Sequence, residues 1–212
     1  MKRSLFACFA MACWATLAVA APEDVWKPLF DGKTLDGWKS NDETKGCFSV
    51  EEGAIKVSGG RAHLFYVGAD GKASFRNFEF RCKARTTPGS NSGIFFHTQW
   101  ADKGWPSGGY EAQVNSTHSD RRKTASLYAV RDVMDNSPSK DGEWFDYSIK
   151  VEGKRIVLSV NGKVMVDYTE EDKPDGAGTS PGRKLSSGTF AIQAHDPKST
   201  TFFKDIAVRM LP

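Results

Sequence analysis

Apolar and polar side chains alternate with a period of two residues along much of this chain, and this pattern limits its possible folds most strongly. In the segment 77–84 the phenylalanines, a cysteine and an alanine take alternate positions, and charged residues lie between them. A β-strand points successive side chains to opposite faces, so this segment is predicted to be a strand with one buried face. A helix would need an apolar period near 3.6.

Two sharp turns connect neighbouring runs of this kind. Glu152–Lys154 contains a glycine between two β-like segments, and Asn161–Gly162 follows the second of them. Asn-Gly between alternating segments is typical of a type I′ hairpin, because both turn residues tolerate positive φ. Residues 144–168 are therefore predicted to form a three-stranded meander.

Short β-like runs with turn residues between them account for most of the remaining chain. The 20 glycines and 14 phenylalanines occur without any convincing helical pattern. Roughly a dozen strands predict an all-β protein, a two-sheet antiparallel β-sandwich or jelly roll. The glycine- and proline-rich stretches 102–109 and 172–187 are predicted surface loops. The other predicted strands are 47–50, 54–57, 63–66, 92–98, 110–115, 125–130, 188–194 and 201–210.

The first twenty residues have the pattern of a secretory signal peptide. Lys2 and Arg3 precede an uncharged apolar run, Leu5–Val19, and Ala18-Val19-Ala20 supplies small residues for cleavage. The alternative, a transmembrane anchor, would need about 20 apolar residues. We therefore expect residues 1–20 to be removed and 21–212 to form one exported domain, periplasmic or secreted, with no membrane span.

The charge balance and the missing motifs exclude several classes of partner. The full chain carries +3, and loss of Lys2 and Arg3 with the signal leaves it close to neutral. Nothing in this balance favours nucleic acid as a partner. No phosphate loop or dinucleotide glycine fingerprint occurs, so no nucleotide cofactor is expected.

Two cysteines, Cys47 and Cys82, remain once the predicted signal is removed. In an oxidising compartment such a pair either forms a disulfide or stays as two separate buried thiols. The sequence leaves both alternatives open. Two isolated cysteines do not have the spacing of a zinc site.

Polar side chains share one face of a predicted strand at 110–115. Alternation places Glu111, Gln113 and Asn115 opposite Ala112 and Val114. Three neighbouring polar groups on one face suit the hydroxyls of a sugar. An ordinary solvent-exposed face has the same pattern.

Two further strands carry titratable groups beside amides. Asn91, Phe95 and His97 are predicted to share a face of one strand. Gln193 and His195 share a face of another, and His195 precedes Asp196 where that strand ends in a loop. A histidine in this position can act as a base, an acid or a metal ligand.

Five aromatic residues are candidates for stacking on a sugar ring, and each is equally suited to the core. By contrast, the pair of closely spaced carboxylates on one strand that many β-sandwich glucanases use is not found, so a two-carboxylate glycosidase lacks local support. The aromatic candidates are Trp100, Trp105, Tyr110, Tyr128 and Trp144.

Several ordered motifs together resemble a known family, the 3-keto-disaccharide hydrolase domain, also described as 3-keto-glucoside lyase/hydratase. The resemblance covers about Pro28 to Met210 and implies a concanavalin A-like β-sandwich. Two positions depart from the pattern, because Ala125 stands where glycine is usual and Phe145 where asparagine is frequent. The motifs are Pro28–Trp38, Asn91–Phe96, Gly109–Gln113, Gly142–Trp144, Asn161–Gly162, Gln193–Asp196 and Phe203–Ile206.

The resemblance implies cleavage of a 3-keto-glycoside, because a ketone at C3 acidifies the C2 hydrogen and permits β-elimination of the C1 substituent. The expected partner is therefore an oxidised sugar or glycan. A non-catalytic carbohydrate-binding module and a conventional glycoside hydrolase are the alternatives. The implied catalytic residues are His195, Glu111, Asp196 and His97; substrate binding falls to Gln113, Asn91, Tyr128, Trp144 and Gln193; and a divalent metal, if used, to His195 and Glu111.

Overall fold

The computed structural model describes residues 25–41, 43–172 and 183–212, and these contain thirteen β-strands and no helix. Each strand is named here in chain order. They are β1 (Lys27–Pro28), β2 (Trp38–Ser40), β3 (Phe48–Glu51), β4 (Ala54–Ser58), β5 (Ala62–Tyr66), β6 (Phe78–Thr86), β7 (Asn91–Thr98), β8 (Tyr110–Asn115), β9 (Phe145–Glu152), β10 (Arg155–Val160), β11 (Lys163–Thr169), β12 (Thr189–Ala194) and β13 (Thr200–Met210).

The strands form two sheets in which neighbouring strands are antiparallel. One sheet has eight strands in the order β11-β10-β9-β6-β13-β4-β3, with β1 paired to β13. The other has five strands in the order β2-β5-β12-β7-β8. The predicted all-β, two-sheet antiparallel sandwich is confirmed.

The core lies between the two sheets and is rich in phenylalanine. Phe190 of the five-stranded sheet has its ring centroid 4.9 Å from that of Phe78 and 4.7 Å from that of Phe80, both in the eight-stranded sheet. All three side chains are buried. The alternation of segment 77–84 is therefore the pattern of a strand whose inner face meets the opposite sheet.

The predicted meander is present as β9, β10 and β11. Val160 pairs with Lys163 across the turn, and Asn161 and Gly162 both have positive φ, 49° and 76° respectively. These angles are those of the type I′ turn that the Asn-Gly dipeptide predicts.

The prediction of a strand at 125–130 is wrong. Ala125 and Ala129 have φ values of 67° and 60°, which interrupt the pleat, and Leu127 forms isolated bridges instead of a ladder. The segment still lies along β8, since the Tyr128 amide donates to the Glu111 carbonyl at 2.9 Å. Tyr128 in this irregular segment lines a cavity on the outer face of the five-stranded sheet.

The cysteine alternatives are decided in favour of two separate thiols. Cys47 and Cys82 are both buried and free, and burial raises the pKa of each thiol. The predicted signal peptide, residues 1–20, lies outside the described residues, so cleavage and export stay predictions. Within the described residues no helix is long and apolar enough to cross a membrane.

Replacing Phe190 by alanine should destabilise the protein, because the substitution would leave an empty cavity between the two sheets. We expect the free energy of unfolding to fall by about 3–5 kcal/mol. Val164→Ala on β11, where the side chain is 53% exposed, is the control and should change it by less than about 0.5 kcal/mol. Urea unfolding followed by fluorescence measures both, and equal effects would contradict the assignment of Phe190 to the core.

Candidate functional site

A cavity of about 480 Å³ lies on the outer face of the five-stranded sheet. Alternation along β8 and β12 turns Ala112, Val114, Ile192 and Ala194 toward the core. The intervening side chains therefore point to the other face, where they meet the cavity. The volume is in the range of small-molecule sites.

Three side-chain amides from three neighbouring strands contribute to the polar floor of this cavity. They are Asn91 on β7, Gln113 on β8 and Gln193 on β12. Each is buried, and its side-chain oxygen has no hydrogen-bond partner among the described residues. A buried acceptor without a partner is costly. The floor is therefore suited to a ligand that donates several hydrogen bonds, as a polyol does.

Glu111 reaches across the neighbouring strand to join this floor. It is paired with Phe95 on β7, but its carboxylate lies over Gly93, and Gln193 Nε2 donates to Glu111 Oε1 at 3.0 Å. A Cβ at position 93 would collide with Oε1 and lie 3.0 Å from both Cγ and Cδ of Glu111. Glycine at 93 is thus what allows the side chain of β8 to bond to β12.

The carboxyl of Glu111 binds its proton unusually tightly. Burial raises its pKa from 4.5 to about 7, although the Arg183 charge and the Gln193 hydrogen bond oppose the change. The side chain is only 6% exposed. A carboxyl with this pKa can donate or accept a proton near neutral pH, as a general acid or base requires.

His195 lies at the end of β12 and also lines the cavity. Its Nδ1 is 2.9 Å from Asp196 Oδ2, which also accepts from Ser199 Oγ at 2.6 Å. Partial burial raises the pKa of Asp196, but the hydrogen bonds from Ser199, His195 and the Lys198 amide outweigh it and lower the pKa to about 2. An ionised carboxylate can only accept, so the proton of His195 lies on Nδ1 and Nε2 is left as a base.

His118, which the sequence analysis did not select, lies next to this pair. Its ring centroid is 5.4 Å from that of His195, and its Nε2 is 3.9 Å from Asp196 Oδ2. It comes from the loop after β8, where no periodic pattern marks a functional residue. Only the folding of that loop against the end of β12 brings the two histidines together.

The cluster of His118, His195 and Asp196 has the residue types of a metal site, with one donor atom of each lying within 4.8 Å of the others. The hydrogen bonds do not fit that role. The Asp120 amide donates to His118 Nδ1 at 3.0 Å, so in the neutral ring Nε2 carries the proton and has no lone pair to offer. Glu111 is not part of this cluster. It lines the same cavity as His195, and the use of these two residues as metal ligands stays a prediction.

Two walls enclose the cavity above its floor. Trp105 on the glycine-rich loop after β7 forms one; its ring centroid is 6.5 Å from that of His195, and half of its surface is exposed. Tyr128 and Arg183 line the cavity as well. Arg183 belongs to the stretch predicted as a surface loop, of which residues 173–182 lie outside the described residues. Its side chain is nevertheless buried.

Two predicted site residues lie away from the cavity. His97 has a φ of 56°, which breaks the alternation of β7. Its Nε2 lies 2.8 Å from the Arg76 carbonyl, and its Nδ1 accepts from the Ser186 amide, so it holds loops together. Trp144 precedes β9 in the other sheet, where Lys204 lies 4.3 Å from its ring. Neither prediction of a site role is supported by this placement.

The fold and the cavity define the class of protein: a β-sandwich with a polar cavity on the outer face of one sheet. The model of the 3-keto-alpha-glucoside-1,2-lyase-like domain matches residues 25–209, and the chain belongs to that family. The resemblance stated from the motifs is thereby confirmed.

Relatives of known name are distant. A 3-keto-disaccharide hydrolase of Bacteroides thetaiotaomicron is 26% identical over 178 residues, which cover 72% of this chain and 61% of that protein. The chain thus spans less than two thirds of that relative's length.

Solved structures share the sandwich at low identity. A candidate glycosyl hydrolase from Parabacteroides distasonis has a TM-score of 0.74 at 21% identity, covering 88% of this chain and 94% of that one. The carbohydrate-binding module CBM66 from Bacillus subtilis has a TM-score of 0.57 at 14% identity, covering 82% and 96%. These likenesses show the fold alone.

Both departures from the family's motifs lie outside the floor of the cavity. Ala125 adopts a φ of 67°, the left-handed region that glycine enters most easily, so the usual glycine suits this backbone. Phe145 is buried in the core and starts β9 in the eight-stranded sheet. Neither substitution removes a side chain from the floor of the cavity.

The raised pKa of Glu111 predicts how its replacement changes stability with pH. The folded protein holds this proton more tightly than the unfolded chain does. The stability contributed by the neutral carboxyl is therefore complete below about pH 4.5 and is lost as pH rises through about 7. Glu111→Gln, which cannot ionise, should gain stability relative to the native protein between pH 5 and pH 8, by up to about 3 kcal/mol.

Urea unfolding of both proteins at several pH values measures this difference. Glu143→Gln, at a largely exposed carboxyl, is the matched control for the change from carboxyl to amide. Parallel stability profiles for the native protein and Glu111→Gln would show that Glu111 is not a buried proton-binding group.

Proposed function

We propose that this protein cleaves the glycosidic bond of 3-keto-glycosides, including 3-keto-disaccharides, by β-elimination followed by hydration. One observation carries the proposal: a base, His195 Nε2, and a carboxyl that is protonated near neutral pH, Glu111, line the same cavity. The family membership and the name of the Bacteroides thetaiotaomicron relative support this substrate class.

His195 removes the first proton in the proposed reaction. Nε2 takes the hydrogen from C2, and the electron pair of the C–H bond forms an enolate with the C3 ketone. The Asp196 carboxylate, which accepts from Nδ1, stabilises the imidazolium that results. The amides of Asn91 and Gln113 orient the sugar and the developing enolate oxygen.

Glu111 assists the departure of the C1 substituent. The enolate electrons return to form a C1=C2 double bond and restore the ketone, while the bond from C1 to the glycosidic oxygen breaks. Glu111 gives its proton to that oxygen, and Gln193 holds the carboxyl in place. The leaving group is released as an alcohol.

Water completes the reaction. Its oxygen adds to C1, which is the electrophilic end of the conjugated ketone, and the water gives one proton to the Glu111 carboxylate. A proton returns to C2 from the imidazolium of His195. The products are a 3-keto-sugar and the free alcohol, so the net change is hydrolysis. These transfers restore the starting protonation states of both His195 and Glu111.

A conventional two-carboxylate glycosidase is less well supported. Among the described residues that line the cavity, Glu111 is the one carboxylate. Both retaining and inverting glycosidases place two carboxyl groups on opposite sides of the scissile bond. A binding module without catalysis would need only the amide floor and the aromatic wall, and would have no use for the His195–Asp196 pair.

Incubation with a 3-keto-glucoside and with its non-oxidised parent tests the proposal. We expect release of the leaving group from the keto-glucoside alone, because only the ketone acidifies the C2 hydrogen. In deuterium oxide the released sugar should carry deuterium at C2. A chelator should leave the rate unchanged, because each proton transfer in the proposed steps is assigned to a side chain, His195 or Glu111. Cleavage of the parent would favour a conventional glycosidase, and binding without cleavage would favour a binding module.

The proposed roles predict a pH profile and a pattern of variants. Glu111 must be protonated, so kcat/KM should fall above about pH 7, by about tenfold per pH unit. His195→Asn should lower kcat about 10²- to 10⁴-fold. His97→Asn, outside the cavity, should keep turnover and lose stability. Equal loss in both histidine variants, measured as initial rates on folded protein, would refute the assignment.

A further inference from the structure

Arg183 is a buried cation in the wall of the cavity. Its side chain is 8% exposed, and its Nη1 donates to the Tyr128 carbonyl. Two residues further on, the Leu185 amide donates to the Glu170 carboxylate at 2.8 and 3.1 Å, which fixes this part of the chain. The guanidinium therefore faces the cavity from an anchored segment.

No carboxylate among the described residues forms an ion pair with this guanidinium. Asp132 accepts from Arg122 Nε at 2.9 Å and from the Ala129 amide at 2.9 Å. Asp120 accepts from the Arg122 amide at 2.9 Å. The Arg183 charge acts on Glu111 through space, yet the hydrogen bond of Glu111 is to Gln193. The nearby carboxylates are thus engaged elsewhere.

A buried guanidinium without a bonded anion is unfavourable, and its planar set of five donors matches a carboxylate. Near neutral pH, Glu111 compensates this charge only in part, because burial raises its pKa to about 7. In the proposed reaction Glu111 is protonated and compensates it still less. An anionic group on the substrate would supply the missing partner.

The position of Arg183 indicates on which side of the scissile bond the anionic group of the substrate lies. Glu111 faces the glycosidic oxygen in the proposed function, on which this inference rests, and His195 faces C2. Arg183 lines the same cavity, and its charge acts on Glu111. In the proposed binding mode, we therefore infer that Arg183 meets the substituent beyond the glycosidic oxygen. We propose that Arg183 binds a carboxylate on the leaving group, so that the protein prefers 3-keto-glycosides of hydroxy acids.

Two matched substrates test this preference, the 3-keto-glucosides of 4-hydroxybenzoate and of 4-hydroxybenzamide. They differ in charge and little in shape. We expect a KM about ten- to a hundredfold lower for the carboxylate. Arg183→Gln should remove the preference, and Arg183→Lys should keep part of it.

Arg122→Gln is the matched control. The guanidinium of Arg122 lies 4.9 Å from the centroid of the Tyr128 ring, and that of Arg183 lies 5.5 Å from it. Arg122, however, pairs with Asp132 and does not line the cavity. The preference should survive in this variant. Equal KM values for the two substrates in the native protein, or equal losses for both in Arg183→Gln, would overturn the proposal while leaving the proposed function intact.

Calorimetric titration with 4-hydroxybenzoate and 4-hydroxybenzamide separates the subsite from catalysis. We expect binding of the carboxylate to the native protein and to Arg122→Gln, and at least a tenfold weaker affinity for Arg183→Gln. This result with no cleavage of either substrate would support the carboxylate subsite and refute the proposed function. No difference in affinity between native protein and Arg183→Gln would refute the subsite.

Discussion

Four strands of the five-stranded sheet are buried on both faces, and the site depends on this constraint. All residues of β5, β7, β8 and β12 are buried. On the inner face, apolar side chains pack against apolar side chains of the other sheet. The outer face buries amides and a carboxyl, so each polar group there needs a partner from another strand, a loop or a ligand.

The same constraint gives two carboxyl groups opposite properties. Glu111 is enclosed above Gly93 with one donor, Gln193, and burial raises its pKa. Asp196 is partly exposed and accepts from Ser199, His195 and the Lys198 amide, so its pKa falls. An acid and an ionised support for a base thus arise from one residue class through their surroundings.

Positive φ angles set the limits of prediction from periodicity. Alternation correctly placed Glu111 and Gln113 together on one face of β8, and Gln193 on the face of β12 opposite Ile192 and Ala194. It did so because regular strands have a period of two residues. His97 and Ala125 adopt left-handed angles that no alternation rule anticipates. The first turns an expected site residue toward the loops, and the second ends an expected strand.

By itself, the sequence determined the class of fold, the Asn161–Gly162 hairpin and the family, since these follow from local patterns and ordered motifs. The sequence also placed Glu111, Gln113 and Gln193 on the strand faces that lie opposite the apolar side chains. The tertiary structure alone decided that β7, β8 and β12 are neighbours, that His118 meets His195, and that Arg183 enters the cavity wall. These contacts join residues far apart in the chain, and only the packing of strands and loops brings them within range.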